Sequence, residues 1–137
     1  MKRVILESPY AGDKIGMKIN EIYGEFCMHD MLVNHNESPY ASHLLYTRKY
    51  VLRDWVPEDR KLGIEAGFEW RGVADRTVFY CDLGMTPGME KGINDAKEKG
   101  GRYMVRWLPD ELWKEFEGAV QNEIGPFVPK RVKNERT

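Results

Sequence analysis

Two places in this 137-residue chain gather residue types that could do chemistry. Past the apolar run Arg3-Val4-Ile5-Leu6 stand Ser8, Pro9, Tyr10, Gly12 and Asp13. Past the β-branched and aromatic run Thr77-Val78-Phe79-Tyr80-Cys81 stand Asp82, Gly84, Thr86, Gly88 and Met89. Both sets follow strands, and open α/β sheets bind ligands outside the carboxyl ends of their strands. Thr86 reads as a helix N-cap with Pro87 at the first helical position. Free N–H groups there, with the Thr86 hydroxyl, would suit a phosphate or carboxylate, and Gly88 would admit it close to the backbone. A plain strand-turn-helix joint would need the same glycines. No Gly-Lys-Ser/Thr follows the turn, so it is not a P-loop. Glu65 lies in Leu62-Gly63-Ile64-Glu65-Ala66-Gly67, either as a partly buried acid with a raised pKa or as a face residue paired with an arginine. His29, His35 and His43 lack metal-ligand spacing with Cys27 or Cys81, so neither a metal nor a cofactor is expected.

The elements that must position these groups alternate. After the first strand and a turn over residues 7–12, apolar residues recur at helical spacing from Ile15 through Ile19, Ile22 and Phe26, to about Leu32. Residues 33–54 give no clear period, and His43-Leu44-Leu45-Tyr46 fits a strand or a helical turn. Pro57, followed by Glu58 and Asp59, opens a second helix to about Gly72 with Leu62, Ala66, Trp70 and Val73 as its apolar stripe. The strand over 77–81 breaks at Asp82-Leu83-Gly84. The Thr86 helix ends at Gly100-Gly101, a strand follows over 103–107, and a last helix over 110–124 stops at Gly125-Pro126. Strands alternating with helices predict an α/β fold: a parallel sheet with helices on both faces. The string Glu-Ser-Pro-Tyr-Ala occurs twice, at residues 7–11 and 37–41, and both copies read as turns. Trp55, Trp70, Trp107 and Trp113 fall mostly at core spacing and read as packing residues rather than a base-stacking platform.

Apolar residues make up 42% and the net charge is -1, which predicts a globular domain with no basic face for nucleic acid. One domain over residues 1–125 is expected, then a tail over 126–137 whose basic end (Lys130, Arg131, Lys133, Arg136) reads as a solvated, frayed terminus. No apolar run approaches the ~20 residues of a membrane span, and no signal peptide is expected after Met1-Lys2-Arg3. No membrane partner and a cytoplasmic location follow as expectations, with Cys81 a buried free thiol.

Three strings carry a resemblance: residues 37–47 (Glu-Ser-Pro-Tyr-Ala-Ser-His-Leu-Leu-Tyr-Thr), residues 57–60 with 63–67, and residues 80–89 (Tyr-Cys-Asp-Leu-Gly-Met-Thr-Pro-Gly-Met). On them the chain resembles a family found widely in phages and bacteria that carries no assigned activity. More distantly it is similar to the nucleoside 2-deoxyribosyltransferase superfamily, which includes deoxynucleoside-monophosphate N-glycosidases. Ala74-Asp75 before a strand and the Thr86-Pro87-Gly88 turn echo that superfamily's pattern. The resemblance implies a small Rossmann-like domain that binds a nucleotide or a nucleotide-derived small molecule, and by analogy a homo-oligomer.

It further implies phosphate at Thr86, with Gly84, Gly88 and Met89 around it. Tyr10 or Tyr40 would pack on a base or ribose, Ser8 and His43 would contact the ligand, and Asp82 and Glu65 would reach ribose hydroxyls. The superfamily's nucleophilic glutamate falls on Gly92, and the aspartate that precedes its Ala-Asp pattern falls on Gly67. A glycine can neither attack an anomeric carbon nor transfer a proton. The analogy therefore leaves two readings open: an N-glycosidase or transferase acting through displaced acids such as Glu65, Glu90 or Asp82, or a binder that sequesters a nucleotide signal, as a phage protein blunting host defence would. A structural protein with no small ligand is the third reading.

Overall fold

A computed structural model describes residues 1–133. Its strands are β1 (Lys2–Glu7), β2 (Glu37–Tyr40), β3 (Arg76–Tyr80) and β4 (Tyr103–Arg106). Its helices are α1 (Lys14–Asn34), α2 (Ser42–Leu45), α3 (Pro57–Glu69), α4 (Pro87–Glu98) and α5 (Asp110–Glu123), with a 3-10 turn at Trp70–Gly72 after α3. The four strands form one sheet in the order β2-β1-β3-β4, and every pairing is parallel. This is the expected α/β architecture, a small Rossmann-like sheet.

Side chains alternate across the sheet. Val4 and Leu6 of β1, with Val78 and Tyr80 of β3, pack in one cluster with Tyr23 and Cys27 of α1 and Phe116 and Val120 of α5. Phe79 faces the other way, and with Cys81 it packs on Met89 and Ile93 of α4. Beneath α1 the core also buries charge. Glu37 accepts from Arg106 at 2.8 and 3.0 Å and from Arg76 at 2.5 Å, while Tyr80 donates to Asp30 at 2.6 Å. Nothing in the local sequence announces this network, because its members lie on four different elements.

Several sequence expectations are corrected. The second Glu-Ser-Pro-Tyr-Ala copy supplies β2, not a turn, and of the two alternatives for the run from His43 the structure has the helical turn, α2. The stripe on α3 is largely exposed, at 56% for Leu62, 48% for Trp70 and 54% for Val73. That helix instead docks through its glycines. A Cβ on Gly67 would stand 2.5 Å from Ser42 Oγ, so the missing side chain lets α2 lie against α3. Of the tryptophans only Trp113 is buried, and Trp55 is 79% exposed.

The tail is not frayed through residues 126–133. Val132 N–H donates to the Asp82 carbonyl at 2.6 Å, Trp107 Nε1 donates to the Val132 carbonyl at 3.0 Å, and Arg131 stacks over the Trp113 ring. Arg136 lies outside the described residues.

Candidate functional site

The order β2-β1-β3-β4 makes the connections from β1 and from β3 run to opposite sides, so the carboxyl ends of those two strands splay apart into a crevice. A cleft of about 330 Å³ opens there, large enough for a small metabolite. Glu7 and Ser8 at the end of β1, Tyr10 beyond them, and Pro87, Gly88 and Met89 at the start of α4 form its floor and one wall. His43 and Tyr46 from the α2 region and Arg60, Ile64 and Phe68 from α3 form the other.

Glu7 is the group with the most chemical promise. It shares a face of β1 with buried Ile5, and it sits where a Cβ on Gly92 of α4 would come within 3.4 Å of its carboxyl carbon. Burial pushes its carboxyl up to about 7; the Arg71 guanidinium opposes the rise and Asp95 reinforces it. Arg71 Nη2 lies 3.6 Å from the Glu7 carboxylate, while Arg71 Nε donates to Asp95 at 2.6 Å and Nη1 to Thr77 Oγ1 at 2.5 Å. An acid that holds and releases a proton near neutrality suits general acid-base work.

Beside it, Ser8 Oγ and His43 Nε2 are 2.7 Å apart. Crowding by protein atoms lowers the His43 imidazole to about 4, so it is neutral at physiological pH. The pair offers a ligand hydroxyl one donor and one acceptor without a net charge. Tyr10 is edge-on to His43, and its hydroxyl reaches Glu21 at 3.5 Å.

At the α4 end, the N-cap expectation holds: Thr86 Oγ1 accepts from Met89 N–H at 3.2 Å. That bond also thins the anion site. Pro87 has no N–H, and Glu90 N–H is bonded to the Thr86 carbonyl at 3.0 Å. Among the described residues, Gly88 is left with the uncommitted first-turn N–H. The lining charges are Glu7, Asp54 and Asp59 against Arg60, and two hydrogen bonds from Arg53 hold the Asp59 carboxyl below its usual range.

Of the residues expected from the sequence, Ser8, Tyr10, His43, Thr86, Gly88 and Met89 line this cleft and Glu65, Asp82, Tyr40 and Gly84 do not. Glu65 points to solvent with its side chain 61% exposed, 4.0 Å from Lys61 one helical turn away, so it is neither a buried acid nor an arginine partner. Asp82 is fully buried behind the cleft, accepting from Tyr23, Leu108 N–H and Arg131. Tyr40 packs on Trp70 and hydrogen-bonds Tyr46, which takes the wall position expected for Tyr40. Gly84 has φ +93° and faces Val132 of the tail, which makes it a turn residue. Glu7, Tyr46, Arg60 and Phe68 were missed. For Glu7 a signal existed: it is the polar residue closing an apolar strand, immediately before Ser8.

Among the described residues no cluster of three or more His, Cys, Asp or Glu side chains is placed to hold a metal ion. Among the described residues no helix is long and apolar enough to cross a membrane.

Sheet order and cleft together define a Rossmann-like α/β domain with a metabolite-sized crevice at its topological switch point. The chain belongs to the family described as a domain of unknown function (DUF7768), matched over residues 2–106. That span holds the whole sheet and every lining residue of the cleft; α5 and the tail lie beyond it. No curated protein and no solved structure matches the chain.

Proposed function

We propose that the cleft binds a nucleotide-derived small molecule and that Glu7 acts as the acid and base on its N-glycosidic bond. The observation that carries this reading is the Glu7 carboxyl, poised near neutral pH and filling the space left beside Gly92. On the superfamily resemblance read from the sequence, a catalytic glutamate would fall at Gly92, and a carboxyl delivered beside that position from β1 would supply the displaced acid. Tyr10, Tyr46 and Phe68 supply aromatic surface for a base, and the neutral Ser8–His43 pair suits a sugar hydroxyl.

In the proposed hydrolysis, protonated Glu7 gives its proton to the departing base nitrogen as the bonding pair leaves with the base. Water adds to the anomeric carbon, and the proton it sheds returns to the Glu7 carboxylate. A binder that sequesters a nucleotide signal is the second reading; it is favoured by Gly92 and Gly67, which carry no side chain where the superfamily carries acids.

The test is to incubate purified protein with deoxynucleosides, their monophosphates and an ADP-ribose derivative, following free base by chromatography. Base release abolished by Glu7→Gln supports hydrolysis. Ligand recovered intact from a stoichiometric complex makes the cleft a binder, and absence of any binding removes the reading. The homo-oligomer implied by the same resemblance is checked by sedimentation.

A further inference from the structure

Arg71 is the hinge of the electrostatics behind Glu7. Its side chain is 3% exposed and its guanidinium is shared between two carboxylates on different elements. Asp95, on α4, takes the Nε edge at 2.6 Å, and Thr77 of β3 takes Nη1 at 2.5 Å. Nη2 points toward Glu7 but stops at 3.6 Å, outside hydrogen-bonding range, and it is a buried nitrogen with no hydrogen-bond partner among the described residues. A buried donor left unpaired is destabilising, so the guanidinium gains by moving to Glu7 where it is free to. Two close bonds on its other atoms stop it.

The remaining surroundings of Glu7 do not substitute for that cation. Phe79 of β3 and Gly92 of α4 border its carboxyl. His43, from α2, stays neutral at physiological pH beside Ser8. Asp54, Asp59 and Arg60 line the same cleft, and Lys99 reaches Asp95 at 3.2 Å on the side away from the shared guanidinium edge.

We infer that Asp95 is a positioning residue for Glu7: by holding Arg71 through Nε it keeps Nη2 at 3.6 Å from the Glu7 carboxylate, short of a hydrogen bond. The inference deepens the proposed function, since it assigns the residue that sets the protonation of the proposed acid, and it rests on that reading for its purpose. Asp95 touches no cleft space and is not itself a catalytic residue.

The experiment uses full-length protein with ¹³C-labelled glutamate carboxyls, the Glu7 resonance being assigned by its loss in Glu7→Gln. Glu7 is titrated in the parent, in Asp95→Asn, and in Asp95→Ser as a second variant should the amide pack poorly. Removing the Asp95 charge and releasing Arg71 toward Glu7 act in the same direction. The Glu7 midpoint is expected to fall by at least one pH unit in either Asp95 variant. Lys99→Met, which removes the other partner of Asp95 but leaves Arg71 held, is expected to move it by no more than a few tenths.

A Glu7 midpoint that stays put or rises in a folded Asp95 variant overturns the inference, as does an equal fall in Lys99→Met. No ligand is needed for the titration, so the two failures are separable. A shifted midpoint in a protein that binds and cleaves nothing would sink the proposed function and leave the Asp95 relationship standing.

Discussion

The Tyr23 hydroxyl donates to the Asp82 carboxylate at 2.5 Å, and the Asp82 N–H donates back to the same hydroxyl at 3.0 Å. This reciprocal pair ties α1 to the end of β3, and the same carboxylate then accepts from Leu108 N–H and Arg131, fastening the start of α5 and the tail. Burial and the neighbouring negative charge push the Tyr23 phenol well above its ordinary value, so it serves as a lasting donor.

Asp82 is therefore expected to matter for stability and not for the ligand. Removing one member of a buried, hydrogen-bonded charge pair costs roughly 3–5 kcal/mol. Asp82→Ala should lose stability of that order in denaturant titration, while ligand affinity of the folded fraction stays within twofold. A stable variant with lost affinity would place Asp82 in the site after all.

Glu7 links stability to pH. Its ordinary value is 4.5 and in the fold it is raised to about 7, so the folded chain binds more protons than the unfolded one between those limits. The contribution of Glu7 is fully present below about 4.5 and is lost as pH rises through about 7. Glu7→Gln should gain stability relative to the parent across that window and keep the gain above it, as read from thermal midpoints in a pH series.

His43 gives the opposite slope. Its imidazole falls from 6.5 to about 4 in the fold because burial disfavours the charged form. Its contribution is present above 6.5 and is lost as pH drops toward 4, when the unfolded chain takes up a proton that the folded chain refuses. His43→Gln should flatten this acid limb, and ¹⁵N NMR of the ring in the parent should show a neutral imidazole at pH 6. A charged ring at that pH would overturn the expectation.

Gly92 gives a steric test of the Glu7 position. A Cβ there would meet Phe79 Cε2 at 3.1 Å and the Glu7 carboxyl carbon at 3.4 Å, and the Phe79 ring is fully buried with little room to yield. Gly92→Ala is expected to cost about 1–3 kcal/mol through overpacking. It should also displace Glu7, moving its titration midpoint even where the fold is kept. Parent-like stability and titration would show that the two residues do not interlock.

How much of this was legible in the sequence follows from the range of each interaction. The caps at Asp13 and Thr86 accept from N–H groups three residues on; the Thr86 cap was readable with Pro87, while the first helix was read from its apolar spacing and not from Asp13. Short apolar runs meeting turns put the strand ends at Leu6 and Cys81, each one residue from the observed Glu7 and Tyr80, and with them came Ser8, Tyr10 and the Thr86 turn as candidate site residues. The walls of the cleft were harder. His43 could be named without its setting, while Tyr46, Arg60 and Phe68 reach the site through the packing of α2 on α3, which depends on what Gly67 lacks.

The two copies of Glu-Ser-Pro-Tyr-Ala mark the boundary most sharply. By itself the sequence determined the same reading for both, a turn, since identical pentapeptides carry identical local preferences. Tertiary structure decided between them. In the first copy only Glu7 belongs to the sheet, as the last residue of β1. The second copy is β2 itself, paired to β1 in parallel. Burial raises the Glu37 carboxyl, yet hydrogen bonds from Arg106 and Arg76 outweigh it and hold the group below its ordinary value. At Glu7 burial prevails over the Arg71 guanidinium, whose nearest nitrogen stands 3.6 Å from the carboxylate. Those partners lie 39 and 69 residues from Glu37, a separation over which local sequence carries no signal and only the folded chain sets distance.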